Sequence, residues 1–251
     1  MKKKDYLLLN KALYFYNSGI LTFGDLHLGY EQMLKNQGVN FPFSQLEESK
    51  TNIKRILKEL KKEKLEIKKI IILGDLKHHF NFQLEEKFKI RNFLKFLESC
   101  LKKTNKKNII LLKGNHEKIE LDFRKYKNYY IQDDIAFIHG NKIFSEIIDK
   151  KIKTIVMGHL HPATYLTDKI GCIKKEKYKC FLIGKWKNKK IIILPSFFSL
   201  IEGTDIEQDK DYGKNKYKDF SIIPKKKLKK FNIFIVGKDK IYEFKKNLIL
   251  T

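Results

Sequence analysis

Short aliphatic runs recur along the first two thirds of the chain, each closed by a glycine or a polar step. They are Ile20-Leu21-Thr22-Phe23, Ile70-Ile71-Ile72-Leu73, Ile109-Ile110-Leu111-Leu112, Ile135-Ala136-Phe137-Ile138 and Ile155-Val156-Met157. Runs of this length without polar alternation predict strands buried on both faces, as in a sheet covered by helices. Between the first two runs, Ser44-Gln45-Leu46-Glu47 has the form of a capping box, and Leu46, Ile53, Ile56, Leu57 and Leu60 follow at helical spacing. A second helix is predicted over residues 84–101, with Leu84, Phe88, Leu94, Leu97 and Leu101 on its apolar face. Strand, helix, strand alternation implies parallel pairing, and ligands of such sheets collect beyond the carboxyl ends of the strands.

Past His161 the pattern turns to β segments: Lys179–Ile183, Lys190–Leu194, Phe231–Val236 and Ile241–Phe244. The last two straddle Gly237-Lys238-Asp239-Lys240 and predict a terminal hairpin. Residues 202–230 are polar and predict an exposed excursion. At the other end, Asn10 and Lys11 interrupt Tyr6-Leu7-Leu8-Leu9, so the opening reads as a hairpin rather than a signal peptide. No apolar stretch approaches the roughly 18 to 20 residues of a membrane span, and no membrane partner is expected. With neither repeats nor a Pro/Gly/Ser linker, residues 1–251 are expected to form one domain.

The polar residues that close the runs carry the chemistry. Gly24-Asp25-Leu26-His27, Gly74-Asp75-Leu76-Lys77-His78, Gly114-Asn115-His116-Glu117, His139-Gly140 and Gly158-His159-Leu160-His161 hold six of the seven histidines. Asp25 and His27, and again His159 and His161, stand two apart at a strand end, where a turn can aim both side chains at one ion. Asp75 is a single carboxylate able to bridge two ions. Carboxylate, amide and imidazole without thiolate suit borderline ions, manganese first, with iron, zinc or nickel as alternatives. Two divalent ions in such a set would generate a bridging hydroxide at neutral pH and neutralise phosphate oxygens during in-line attack. His116 follows Asn115 and is the candidate proton donor, with Glu117 nearby to hold it cationic. Lys77 and His78 are candidate substrate contacts, and His79 is a weaker one; a lysine in this chain is as readily a solvated charge.

Composition narrows the substrate. The chain has 54 basic against 29 acidic residues, a formal charge of +25, and only Arg55, Arg91 and Arg124 are arginine. Lysine, isoleucine and asparagine are abundant together, so part of the excess is compositional drift, but the acidic residues have not kept pace. The surplus favours a polyanionic partner, and nucleic acid is the expected substrate. The stretch Lys169 to Lys190, which interleaves Tyr178, Phe181 and Trp186 with lysine, is the candidate phosphate-backbone contact. Cys100, Cys172 and Cys180 are odd in number and lack CxxC spacing, so neither a disulfide framework nor a zinc knuckle is expected; the cytoplasm is the default compartment.

Asp-x-His, Gly-Asp, Gly-Asn-His-Glu, a lone His and Gly-His-x-His, in that order, resemble the calcineurin-like metallophosphoesterase superfamily over residues 20 to about 200. Gly74-Asp75-Leu76-Lys77-His78 and Leu194-Pro195-Ser196-Phe197-Phe198 resemble its archaeal SbcD-related branch and the bacterial ligase-associated phosphoesterases. The resemblance implies a four-layer α/β/β/α sandwich, in which two mixed sheets face each other and residues 231–251 form a β-hairpin completing the second. It implies one metal on Asp25, His27, Asp75 and His161, and a second on Asp75, Asn115, His139 and His159. Activity on phosphodiesters, as a nuclease on DNA or RNA, is the leading expectation. A phosphatase or phosphodiesterase for a small molecule is the alternative, and a non-catalytic scaffold the third reading. Protein phosphatases of the superfamily carry an arginine in a Gly-Asp-x-Val-Asp-Arg-Gly pattern that grips a terminal phosphate; here the same stretch continues Leu76-Lys77-His78-His79. Full-length SbcD-type nucleases continue into segments that bind an ABC-type ATPase, whereas about 90 residues follow His161, so no such partner is expected.

Overall fold

The structure, a computed structural model, describes residues 5–39, 44–78, 84–101, 108–117, 121, 123–167, 175–205 and 221–244. The first half builds β1 (Tyr6–Leu9), β2 (Ala12–Phe15), β3 (Ile20–Phe23), α1 (Tyr30–Asn36), α2 (Gln45–Lys62), β4 (Lys69–Ile72), α3 (Leu84–Ser99) and β5 (Ile109–Leu111). The second half builds β6 (Tyr129–Gln132), β7 (Ile135–Ile138), α4 (Ser145–Ile148), β8 (Thr154–Met157), β9 (Pro162–Thr167), β10 (Lys175–Trp186), β11 (Lys189–Ile193), β12 (Thr204–Asp205), α5 (Lys225–Leu228), β13 (Asn232–Val236) and β14 (Ile241–Phe244).

The strands form two mixed sheets. In the first, the order is β1-β2-β3-β4-β5, with β3, β4 and β5 parallel and the opening hairpin antiparallel at one edge. In the second, the order is β12-β9-β10-β11-β8-β7-β6, where β7, β8 and β11 run parallel and β13 pairs with both β10 and β14. Each motif-bearing run therefore lies in a parallel set, and all five motifs leave the carboxyl ends of their strands.

The period of two explains why these runs are apolar throughout. Ile70 and Ile72 point to a core shared with α2 and α3, while Ile71 points to a second core between the sheets. Ile191 and Ile193 likewise face an outer core, and Ile192 and Leu194 the inter-sheet core. Phe15 and Phe137 meet edge to face across that layer, with centroids 5.8 Å apart. The outer face of the second sheet is covered by the short α4 and α5 through Ile147 and Leu228, together with Ile223 and Phe231. The architecture is the expected four-layer α/β/β/α sandwich, with a thin fourth layer.

Ser44 caps α2, accepting the N–H of Glu47 at 3.4 Å, and Leu46, Ile53, Ile56 and Leu60 pack inward as the spacing predicts. For α3 the expected face is partly wrong. Phe88 is 66% exposed, and the buried stripe is Ile90, Phe93, Leu94, Leu97 and Leu101. Phe88 stands two residues before Ile90, on the opposite side of a 3.6-residue turn. Of the polar 202–230 segment, residues 206–220 lie outside the described residues, and its two ends supply β12 and α5 and bury Ile223 and Leu228. The terminal hairpin forms as β13 and β14; residues 245–251 of that expected element lie outside the described residues. No helix among the described residues is long and apolar enough to cross a membrane.

Candidate metal centre

The turns after β3 and β4 run side by side and hold each other. Asp25 N–H donates to Gly74 O (3.0 Å), His27 N–H to Asp75 O (2.9 Å) and Leu28 N–H to Leu76 O (2.9 Å). This pairing bends the chain so that Asp25, His27 and Asp75 adopt positive φ values of 55°, 47° and 47°, and His159 and His161 follow at 68° and 45°. Left-handed backbone costs a non-glycine residue about 1–3 kcal/mol, and it persists only where its surroundings enforce it. Five such residues at one mouth of the sandwich mark a site whose geometry outweighs local strain.

Neighbouring glycines make the approach possible. A Cβ on Gly158 would stand 2.5 Å from Asp25 Oδ2, and one on Gly74, which has φ 96°, 2.7 Å from His139 Nδ1. The two sheets are thereby joined through the site: His159 N–H donates to Asp25 Oδ2 (3.0 Å), and the His139 Nδ1 proton goes to Leu73 O (2.8 Å).

Glu117 is the staple of the centre. Its buried carboxylate accepts the N–H groups of Asp75 (3.0 Å), Leu76 (2.8 Å), Lys77 (3.2 Å) and Gly114 (2.8 Å). Burial first, then the Asp75 charge, pushes Glu117 up to about 7, against the pull of His139 and its backbone donors. Glu117 is thus turned to the backbone and is not the ring partner of His116 that the sequence order suggests. That partner is the His78 carbonyl, 2.7 Å from His116 Nδ1, which leaves Nε2 aimed at the cleft, 4.0 Å from Asp75 Oδ2. Glu117→Ala would strand four donors; a loss of about 3 kcal/mol in urea unfolding is expected, and a loss under about 1 kcal/mol would mean that solvent replaces the carboxylate.

Three groups of metal-ligating type occur among the described residues, and two of them are made of the expected ligands. Asp25, His27 and His161 bring one donor atom each within 4.8 Å of one another, and so do Asp75, His139 and His159. Asn115 Oδ1 joins the second, 2.9 Å from His139 Nε2, which in turn lies 3.0 Å from His159 Nδ1 and 3.5 Å from Asp75 Oδ2. Lone-pair atoms so close require protons or a cation between them. In the first cluster, His161 Nε2 is 3.3 Å from Asp25 Oδ1, and neither ring nitrogen of His27 finds a hydrogen-bond partner among the described residues. Buried orphan nitrogens beside buried carboxylates fit divalent ions.

The titration behaviour has the same cause. Burial alone would raise Asp25, but His161, His139 and His27 outweigh it and hold the carboxyl below its ordinary range. Burial lowers His27 strongly, and His161 lowers it further. For His139 burial works downward, yet Asp75, Asp25 and Glu117 together raise it.

Of the candidate substrate contacts, His78 does enter the centre. Its ring stacks on His116 with centroids 5.5 Å apart, meets Tyr30 at 4.8 Å, and offers a ligand atom within 4.8 Å of those of His27 and His116. Lys77 departs from the solvated-charge reading: it is 1% exposed, held in the bridge between Leu28 and Lys77. His79 lies outside the described residues. In the basic stretch 169–190, Lys185 and Lys187 are exposed on either side of Trp186, and the rest is placed otherwise. Residues 168–174 lie outside the described residues, Phe181 is core, and Lys179 and Lys189 turn their ammonium groups inward onto backbone carbonyls.

Two residues to which the sequence assigns no role at the site support it, one from the capping box of α2 and one from the Leu194–Phe198 segment. Gln45 Nε2, at the start of α2, donates to Leu26 O and His27 O, both at 2.8 Å. Ser196 Oγ donates to Asp25 O at 2.8 Å.

Residues 19–183 match the calcineurin-like phosphoesterase family, and the chain belongs to it. It is a metal-dependent phosphoesterase by that membership. Among solved structures it is similar to the nuclease MPE of Pseudomonas putida, at 18% identity and TM-score 0.59, covering 95% of this chain and 94% of that one. Weaker likenesses are a protein of unknown function from Aquifex aeolicus (21% identity, 57% and 78% of the two chains, TM-score 0.32) and a Vps29 double mutant from Entamoeba histolytica (10%, 76% and 88%, TM-score 0.30). No curated protein matches the chain in sequence.

Proposed function

We propose that the chain is a single-domain, dinuclear-metal phosphodiesterase whose substrate is nucleic acid, DNA or RNA. The observation that carries this reading is the pair of buried ligand clusters meeting at Asp75, with His116 Nε2 at their mouth. One ion is assigned to Asp25, His27, Asp75 and His161, and the other to Asp75, Asn115, His139 and His159. Manganese suits this oxygen and imidazole set best. When bound, the ions supply an activated water and positive charge for the phosphate oxygens. Asn115 and Asp75 orient the His116 turn, Asp75 Oδ1 accepting the His116 N–H at 3.0 Å. His116, with Nδ1 tied to the His78 carbonyl, presents Nε2 to the leaving oxygen. His78 faces the same cleft and is assigned to substrate, whereas Lys77 is assigned to the turn rather than to phosphate.

Diester rather than monoester chemistry is favoured because no arginine follows Gly74-Asp75 to grip a terminal dianion. The charge of +25 favours a polyanion. The structural neighbour from Pseudomonas putida is a nuclease, which agrees with this assignment. Within the family we place the chain beside the SbcD-related branch, on Gly74 to His78 and Leu194 to Phe198.

The test compares bis-p-nitrophenyl phosphate, p-nitrophenyl phosphate, and single- and double-stranded DNA and RNA, each with manganese, iron, zinc and nickel. Faster cleavage of the diester than of the monoester is expected, with nucleic-acid cleavage that weakens as salt rises. A monoester preference with no cleavage of either polymer would make it a small-molecule phosphatase.

A further inference from the structure

Beside the first metal cluster stands a lysine that the chemistry above does not use. Lys179 lies on β10 opposite Ala163 of β9. Its Nζ donates to Ser196 O at 3.0 Å and also to Phe198 O. Those two carbonyls belong to the turn after β11, and the other polar groups of that turn hold the Asp25 backbone. Ser196 Oγ–H and Phe198 N–H both donate to Asp25 O, at 2.8 and 3.3 Å, and Phe197 N–H donates to Gly24 O at 3.0 Å. The Phe197 ring packs on Phe23, 4.8 Å between centroids, which fixes the turn from its apolar side.

Asp25 sits at φ 55°, in the left-handed region that few residues other than glycine adopt and that its surroundings hold in place. Its N–H is held by Gly74 and its carboxylate by His159, so the Ser196–Phe198 turn is the element that fixes its carbonyl. We infer that Lys179 is a positioning residue for the metal site containing Asp25, its ammonium clamping the turn that sets the Asp25 backbone. An ammonium suits the task because its donors diverge tetrahedrally and reach carbonyls of residues 196 and 198 together; a planar guanidinium presents its donors in one plane. This inference rests on the ligand assignment given under the proposed function, and it removes Lys179 from the substrate-contact residues.

The test is metal binding rather than turnover alone. Lys179→Met, Lys179→Arg and Ser196→Ala are titrated with manganese beside wild type, by calorimetry and by paramagnetic resonance of the bound ions, with circular dichroism to verify folding. Lys179→Met is expected to weaken one of two binding events by about 10- to 100-fold and leave the other unchanged. Ser196→Ala should weaken the same event less, and Lys179→Arg should not restore it. Should Lys179→Met fail to fold, Ser196→Ala decides by the same criterion. Two wild-type binding events in Lys179→Met would overturn the inference, as would intact metal binding with a raised KM for nucleic acid, which would make Lys179 a substrate contact. Metal binding by Asp25→Ala equal to that of wild type would instead refute the ligand assignment itself, and this inference with it.

Discussion

Asp75→Ala is expected to lose both metals at once and to lower phosphodiester turnover by about 10³- to 10⁴-fold, the effect of several kcal/mol of charge stabilisation. The reason is its place. Asp75 Oδ2 lies 3.9 Å from His27 Nε2 and 3.5 Å from His139 Nε2, one nitrogen from each cluster, so a single carboxylate is positioned for both proposed ions. Its Oδ1 also accepts the His116 N–H, so alanine releases the third turn as well. Asn115→Ala, by contrast, touches only the second cluster and should cost one equivalent of metal. Metal content after desalting, by mass spectrometry, separates the two variants. Asp75→Asn keeps the shape and one oxygen, and controls for misfolding. Two equivalents retained by Asp75→Ala would sink the shared-ligand assignment.

What the sequence made legible follows from how local each signal is. A candidate ligand at a strand end is announced by the run before it, so Asp25, Asp75, Asn115, His139 and His159 are legible in the sequence, as is α2 from its cap and spacing. The supports could not. Gln45 reaches His27 across 18 residues and Ser196 reaches Asp25 across 171, and no local pattern encodes such contacts. Glu117 was visible, but its neighbour His116 suggested a ring partner, whereas the fold brings four backbone donors to it. The lysines of β10 illustrate the same limit. Alternation puts Lys177 and Lys179 on one face, but whether that face meets solvent or the 196–198 turn is decided by the second sheet. Strand β9 is not announced by an aliphatic run: it opens with Pro162 and is defined by its antiparallel pairing with the first half of the next strand, β10.

His116→Ala is expected to lower kcat by about 10²- to 10⁴-fold, the usual range for a lost general acid, while metal content stays at the wild-type level. Its ring nitrogens have separate tasks. Nδ1–H is held by the His78 carbonyl at 2.7 Å, which fixes the ring and leaves Nε2 facing the cleft as the group proposed to meet the substrate. The ring of His27 stands 4.8 Å away, edge to face, so His116 borders the first cluster without being needed to fill either ligand set. The two roles available to Nε2, proton donor and stabiliser of phosphate charge, make different demands on the leaving group. A nucleotide alkoxide must be protonated as it departs, whereas p-nitrophenolate leaves unaided at neutral pH. If His116 is the acid, its removal should slow DNA or RNA cleavage far more than cleavage of bis-p-nitrophenyl phosphate. Equal losses on both substrates would leave charge stabilisation as its role, and a loss of metal with the activity would make it a ligand. His78→Ala adds a control: it keeps the backbone carbonyl that orients His116, so it should preserve this leaving-group dependence while raising KM.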